Sequence, residues 1–223
     1  MTSIFQRALG NDFGRLHPEM QRRFGFGSGD GVACVGKGRM ERVWHGNGFT
    51  RPFLWLGAKR NILLPTGGTD IPFTIENYAY RDTRGRETVT FVRTFEFERP
   101  RRWDATMIYS AERGSIVDYL GTHQHVSVDL GMEVDGRGGL VIRSGEQRFH
   151  QGALHGRVPE WVTGRAEVRE SYDDELGRFR IDVKVVNRRF GPLFGYHGTF
   201  TCTYPEGGGV PAAIRPVREQ AKV

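Results

Sequence analysis

Apolar and polar side chains alternate with a period of two in about ten short runs between turn residues. This constrains the chain more than any other feature, because such runs are half-buried β-strands. Residues 87–98 read Glu-Thr-Val-Thr-Phe-Val-Arg-Thr-Phe-Glu-Phe-Glu. One face of that strand carries Val89, Phe91, Arg93, Phe95 and Phe97, and the other carries Thr88, Thr90, Val92, Thr94 and Glu96. Arg93 interrupts the aromatic face. A guanidinium there must be desolvated and paired, or must reach into a wet cavity.

The first 25 residues are the clearly helical part. Ser3 can cap a helix in which Ile4, Phe5, Ala8 and Leu9 share a face, and Pro18 suits the first turn of a second helix that stops at Gly25. Gly25-x-Gly27-x-Gly29-x-Gly31 follows as a hinge; with no helix after it, it does not read as a phosphate loop. Strands are expected over Val32–Trp44, Ile71–Tyr80, Glu87–Glu98, Trp103–Ala111, Ser115–Leu120, Gln124–Val134, Gly139–Arg143, Trp161–Tyr172, Phe179–Val186 and Tyr196–Tyr204. Gly36 and Gly38 suggest a bend or bulge in the first. Phe49–Leu64 is ambiguous and could hold a short helix.

Ten strands in one meander leave two edges, which closure into a barrel removes. The fold expected is therefore mainly β: a calycin-like antiparallel β-barrel of about ten strands, with room for a small ligand. A curved sheet wrapped on a long helix is the alternative, but no such helix reads from the C-terminal half. One domain spans 1–223: a helical cap over 1–25, the barrel over 32–204 and a flexible tail over 205–223.

Composition narrows the partners. Lysine supplies only four of the 32 basic residues, and the arginines are scattered among acids rather than clustered. A GC-rich coding bias explains this better than a nucleic-acid surface. Two cysteines, Cys34 and Cys202, make neither a disulfide framework nor a metal knuckle. No signal peptide and no membrane-spanning apolar run reads from the sequence, so the cytoplasm is the expected compartment.

The opening Ser3-Ile4-Phe5-Gln6-Arg7-Ala8-Leu9-Gly10 and Leu16-His17-Pro18-Glu19 resemble a bacterial domain family of unknown function. So do Gly36-Lys37-Gly38-Arg39-Met40, the Arg93-Thr94-Phe95 strand and Gly191-Pro192-Leu193-Phe194-Gly195-Tyr196. The resemblance covers nearly the whole chain. It implies relatives that stand alone or are joined to saccharopine-dehydrogenase-like reductases, thiol-disulfide-type proteins or membrane proteins. A reductase partner and a role in bacterial small-molecule or lipid metabolism follow from that company. The family supplies no catalytic residues.

His123-Gln124-His125 would put two imidazoles on one strand face, a common way to present metal ligands. No third ligand sits at a matching spacing, so no metal and no cofactor is expected. The strand's core face holds Val126, Val128 and Leu130, leaving the histidines outside or lining a polar lumen. Arg93 has candidate partners in Glu76, Asp129 and Glu167, or could hold the anionic end of a ligand. Glu76 would be an acid or base if the Tyr78 side is the lumen, and Tyr196 and His197 would meet a ligand at a barrel mouth.

Three functions fit. The first is binding of a small, largely apolar ligand with a polar or anionic end, held by Arg93, Tyr196, Phe91 and Phe95. The second is an isomerase, cyclase or hydrolase using Glu76, His123, His125 and His197 as acid–base groups. The third is an interaction module with a filled core.

Overall fold

A computed structural model describes residues 2–46, 58–151, 154–159, 163–207 and 210–223. Most of the ambiguous stretch, 49–57, and Trp161 at the start of an expected strand lie outside the described residues. The N-terminus begins with α1 (Ile4–Leu9), a 3-10 helix (Gly10–Arg15) and α2 (Pro18–Phe24). Ser3 caps α1 through a full capping box with Gln6, and His17 caps α2 ahead of Pro18.

Strands β1 (Ala33–His45), β2 (Gly68–Arg81), β3 (Glu87–Phe95), β4 (Arg101–Ser110), β5 (Ser115–Leu120) and β6 (Val126–Val134) follow as a meander. Next come β7 (Leu140–Gln151), β8 (Leu154–Arg157), β9 (Arg165–Asp173), β10 (Arg178–Asn187) and β11 (Gly191–Thr203). β6 pairs β7, β7 pairs β9, and β11 returns to β1, all antiparallel. Ten strands therefore close into a barrel, and β8 pairs only with the second half of β7. Among the described residues, each of the ten strands of the ring has a neighbour on both sides.

Alternation builds the core. In β10, Phe179, Ile181, Val183 and Val185 are buried while Arg180, Lys184 and Val186 are exposed. Burying such a side chain stabilises by about 1.5–3 kcal/mol. In β1 the glycines serve close packing: a Cβ on Gly36 would fall 2.6 Å from Ile75 and 2.7 Å from Phe200. The bulge expected near them lies further on, between Met40 and Arg42.

Segment 144–160, which shows no clear alternation, holds the rest of β7 and all of β8. A register shift explains it, since Val128 faces Gln147 and Leu130 faces Ser144. The extra residue breaks the period of two.

The N-terminal helices plug one end of the barrel. Phe5 packs on Phe24 (centroids 4.7 Å apart) and on Phe91 of β3 (6.0 Å). His17 N–H donates to Gly138 O at 3.0 Å, and its ring stacks on Tyr172 at 5.0 Å. These contacts lie at the end that carries the β2–β3, β4–β5, β6–β7 and β9–β10 turns.

The tail after Pro205 differs from the frayed segment expected. It runs over the outer face of β3–β5, where Arg86 donates to Gln220 O (2.7 Å), Tyr119 to Lys222 O (2.9 Å) and Arg113 to Val223 O (2.7 Å). Burial of Ile108, Val117 and Tyr119 beside Val223 gives the tail an anchor that its Gly/Pro-rich start conceals. Among the described residues no helix is long and apolar enough to cross a membrane.

Candidate functional site

The barrel interior is not filled. A cavity of about 640 Å³ runs from the plug towards the opposite end, where Lys59, Arg60, His125 and Val158 line it. Its walls are mainly apolar, with Phe91, Trp103, Met107, Leu130 and Phe194 among them. Volume and lining fall in the range of small-molecule sites.

Arg93 lines this cavity and is buried. The β3 pleat sends it inward with Val89, Phe91 and Phe95, between its cross-strand neighbours Ile75 and Trp103. Its guanidinium lies over the Trp103 ring at 4.6 Å and near the Phe91 ring at 5.3 Å. Nε and Nη1 are buried without a hydrogen-bond partner among the described residues. Ring faces offset only part of the cost of desolvating a cation.

None of the three carboxylates expected to pair with Arg93 does so. Glu76 accepts from Tyr78 Oη at 3.1 Å on the outer face of β2. Asp129 is held by Arg113 and Arg148, each at 3.1 Å, and Glu167 by Arg143 at 3.0 Å and Arg169 at 2.8 Å. Alternation sends all three side chains away from the lumen.

A fourth carboxylate, Asp118, lines the cavity instead. It sits opposite Met107 in the β4–β5 pairing and shares the inward face of β5 with Ile116 and Leu120. It is buried, and its Oδ1 has no hydrogen-bond partner among the described residues. Burial pushes its carboxyl up to about 7, against the opposing pull of the Arg93 charge and a hydrogen bond from the Thr106 backbone. The Ser115–Leu120 run carried a usable signal: an aspartate interrupts a strand whose two faces are both apolar.

Glu170 also lines the cavity, at its plugged end, but is ion-paired to Arg23 of α2. Arg23 is fully buried and donates to Asn77 Oδ1 (2.8 Å) and Cys34 Sγ (3.0 Å), with Cys202 Sγ at 3.5 Å. Hydrogen bonding from Cys202, against the effect of burial and helped by the Arg23 charge, brings the Cys34 thiol down to about 7. This cluster joins the plug to the barrel wall.

The remaining expected site residues are dispersed. His123 lies in a turn and its ring stacks on His125 at 5.8 Å, but the pair is not on a strand. Gln124 between them has φ 52°, which breaks the alternation, so that His125 and Val126 both line the cavity. His125 Nδ1–H donates to His150 O at 3.3 Å, and burial holds its pKa below the ordinary value. His197 is on the outer face of β11, 3.6 Å from Glu41. Phe91 lines the cavity, while Phe95 and Tyr196 form a second layer packed on each other at 4.9 Å. The Tyr196 hydroxyl is buried without a hydrogen bond among the described residues, and burial raises its pKa. Among the described residues no group of three or more His, Cys, Asp or Glu could hold a metal ion.

The model of a family described as "Domain of unknown function (DUF4166)" matches residues 16–200. An uncharacterized protein, YndH of Bacillus subtilis (strain 168), is 34% identical over 202 residues, which cover 90% of this chain and 97% of that protein. No solved structure matches the chain.

Proposed function

The chain belongs to the DUF4166 family, and we propose that it binds a small, largely apolar molecule with an anionic end inside the barrel. One observation carries this reading: Arg93 presents a buried guanidinium, two of its nitrogens without a hydrogen bond among the described residues, to an apolar cavity of about 640 Å³. A ligand carboxylate or comparable anion would accept from those nitrogens, and its body would replace water against Phe91, Trp103 and Leu130. Phe95 and Tyr196 would support the wall from behind. Glu76 and His197 have no part in this reading, because they lie on the outer face.

A saccharopine-dehydrogenase-like reductase in the cytoplasm, the partner and compartment expected from the sequence, would supply or consume such a ligand. Titration with anilinonaphthalene sulfonate, an apolar fluorescent anion, tests the binding reading. Wild type is expected to bind one equivalent with a blue-shifted emission, and Arg93→Met to bind at least about tenfold more weakly. Equal binding by the two proteins would remove Arg93 from the site.

A further inference from the structure

Arg93 and Asp118 are the two charged groups lining the cavity that keep buried polar atoms without partners among the described residues. Glu170 is taken up by Arg23, and Lys59 and Arg60 stand at the far end with His125. A buried cation and a buried carboxylate would ordinarily pair, because each alone is expensive to desolvate. Here Asp118 feels the Arg93 charge, yet its Oδ1 and the Arg93 Nε and Nη1 make no hydrogen bond to each other. That arrangement leaves an acid–base group and an anion-stabilising group facing one apolar space.

We propose that Asp118 is the catalytic base and acid of a proton-transfer site. Its substrate would be a largely apolar β,γ-unsaturated carbonyl compound, isomerised while Arg93 holds the carbonyl oxygen. This rests on the binding reading above, with the enolate oxygen as the anion that Arg93 holds, and adds a reaction to it. Asp118 Oδ1 takes the proton from the carbon next to the carbonyl. The C–H electron pair becomes the new carbon–carbon double bond, and the carbonyl π pair moves onto oxygen as an enolate. Arg93 N–H groups stabilise that oxygen. Asp118 then returns the proton to the γ carbon: the old β,γ π pair forms the new C–H bond, the enolate π pair moves between the α and β carbons, and an oxygen pair re-forms the carbonyl. No other reactant is consumed. A carboxyl pushed up to about 7 is matched to taking and giving a proton near neutrality.

Nitrobenzisoxazole is a suitable probe. A base removes its ring C–H proton, the C–H pair completes a nitrile, and the nitrogen–oxygen bond breaks with its pair leaving on a phenolate oxygen whose colour is read directly. Wild type is expected to open it about 10²-fold or more faster than Asp118→Asn. Its rate should rise with pH through about 7. Asp118→Asn should still bind anilinonaphthalene sulfonate, showing an intact cavity, and Arg93→Met should lose rate by about 10²-fold. Equal rates in wild type and Asp118→Asn would overturn the proposal and leave the binding reading standing. A profile that rises below 6.5 and survives Asp118→Asn would assign the base to His125 and also overturn it. Absence of dye binding by wild type would sink the binding reading itself.

Discussion

The Arg93 guanidinium lies 4.6 Å from the centroid of the Trp103 ring, one strand away and directly opposite in the β3–β4 register. The indole face supplies attraction without the hydrogen bonds a carboxylate would supply. The cation is thus held in place while two of its nitrogens remain ready for an anion.

Replacing Arg93 by methionine removes a desolvated charge and keeps most of the volume. We expect stability to be unchanged or to rise, by up to about 4 kcal/mol, as when buried charges are exchanged for apolar side chains. Urea unfolding measures this. A large loss of stability would mean that the guanidinium is a structural tie.

Arg23 and Glu170 behave oppositely. Glu170→Gln leaves the Arg23 charge fully buried without its counter-charge, at a cost of about 3–5 kcal/mol. The double variant Arg23→Met, Glu170→Leu should recover most of that loss. A double-mutant cycle from urea midpoints reads the coupling.

Ser3 does two tasks at the plug. Its Oγ accepts from Gln6 N at 3.1 Å to cap α1 and donates to Phe24 O at 2.7 Å, tying α1 to the end of α2. Ser3→Ala should cost about 2 kcal/mol, at the upper end for a cap. Amide exchange in residues 4–9 should rise first, because their helix is the element released.

Asp118 makes stability depend on pH. The folded state keeps the proton to about pH 7, whereas an ordinary aspartate loses it near 3.8. Between these values the folded state binds more protons than the unfolded one, so this group's contribution falls as pH rises and is level above 7. The full change is at most about 4 kcal/mol at 1.36 kcal/mol per pKa unit. Asp118→Asn should remove this component. Denaturant midpoints measured from pH 4 to 8 for both proteins check it.

The order and kind of the elements were legible, and so was Arg93. Period-two runs and turn residues mark strands wherever one face meets the core, as Phe179–Val185 does. Alternation is no guide where the pleat is interrupted: at the β7 bulge opposite Val128–Leu130, and at Gln124, whose left-handed backbone turns the His123–His125 pair off the strand. Asp118 was legible by the argument that singled out Arg93. Its strand is short and apolar on both faces, so no clean alternation sets it apart.

Composition and alternation by themselves determined an antiparallel β fold with N-terminal helices and a cation on an aromatic strand face. Those are local properties, fixed by backbone periodicity and the cost of exposing apolar side chains. Tertiary structure alone decided which charges meet. Arg93 and Asp118 lie on β3 and β5, separated by β4, and their shared cavity depends on strand register and barrel closure. Glu76, Asp129 and Glu167 were equally eligible as partners in one dimension. The pleat of the closed barrel turned them outward and left Asp118 inside.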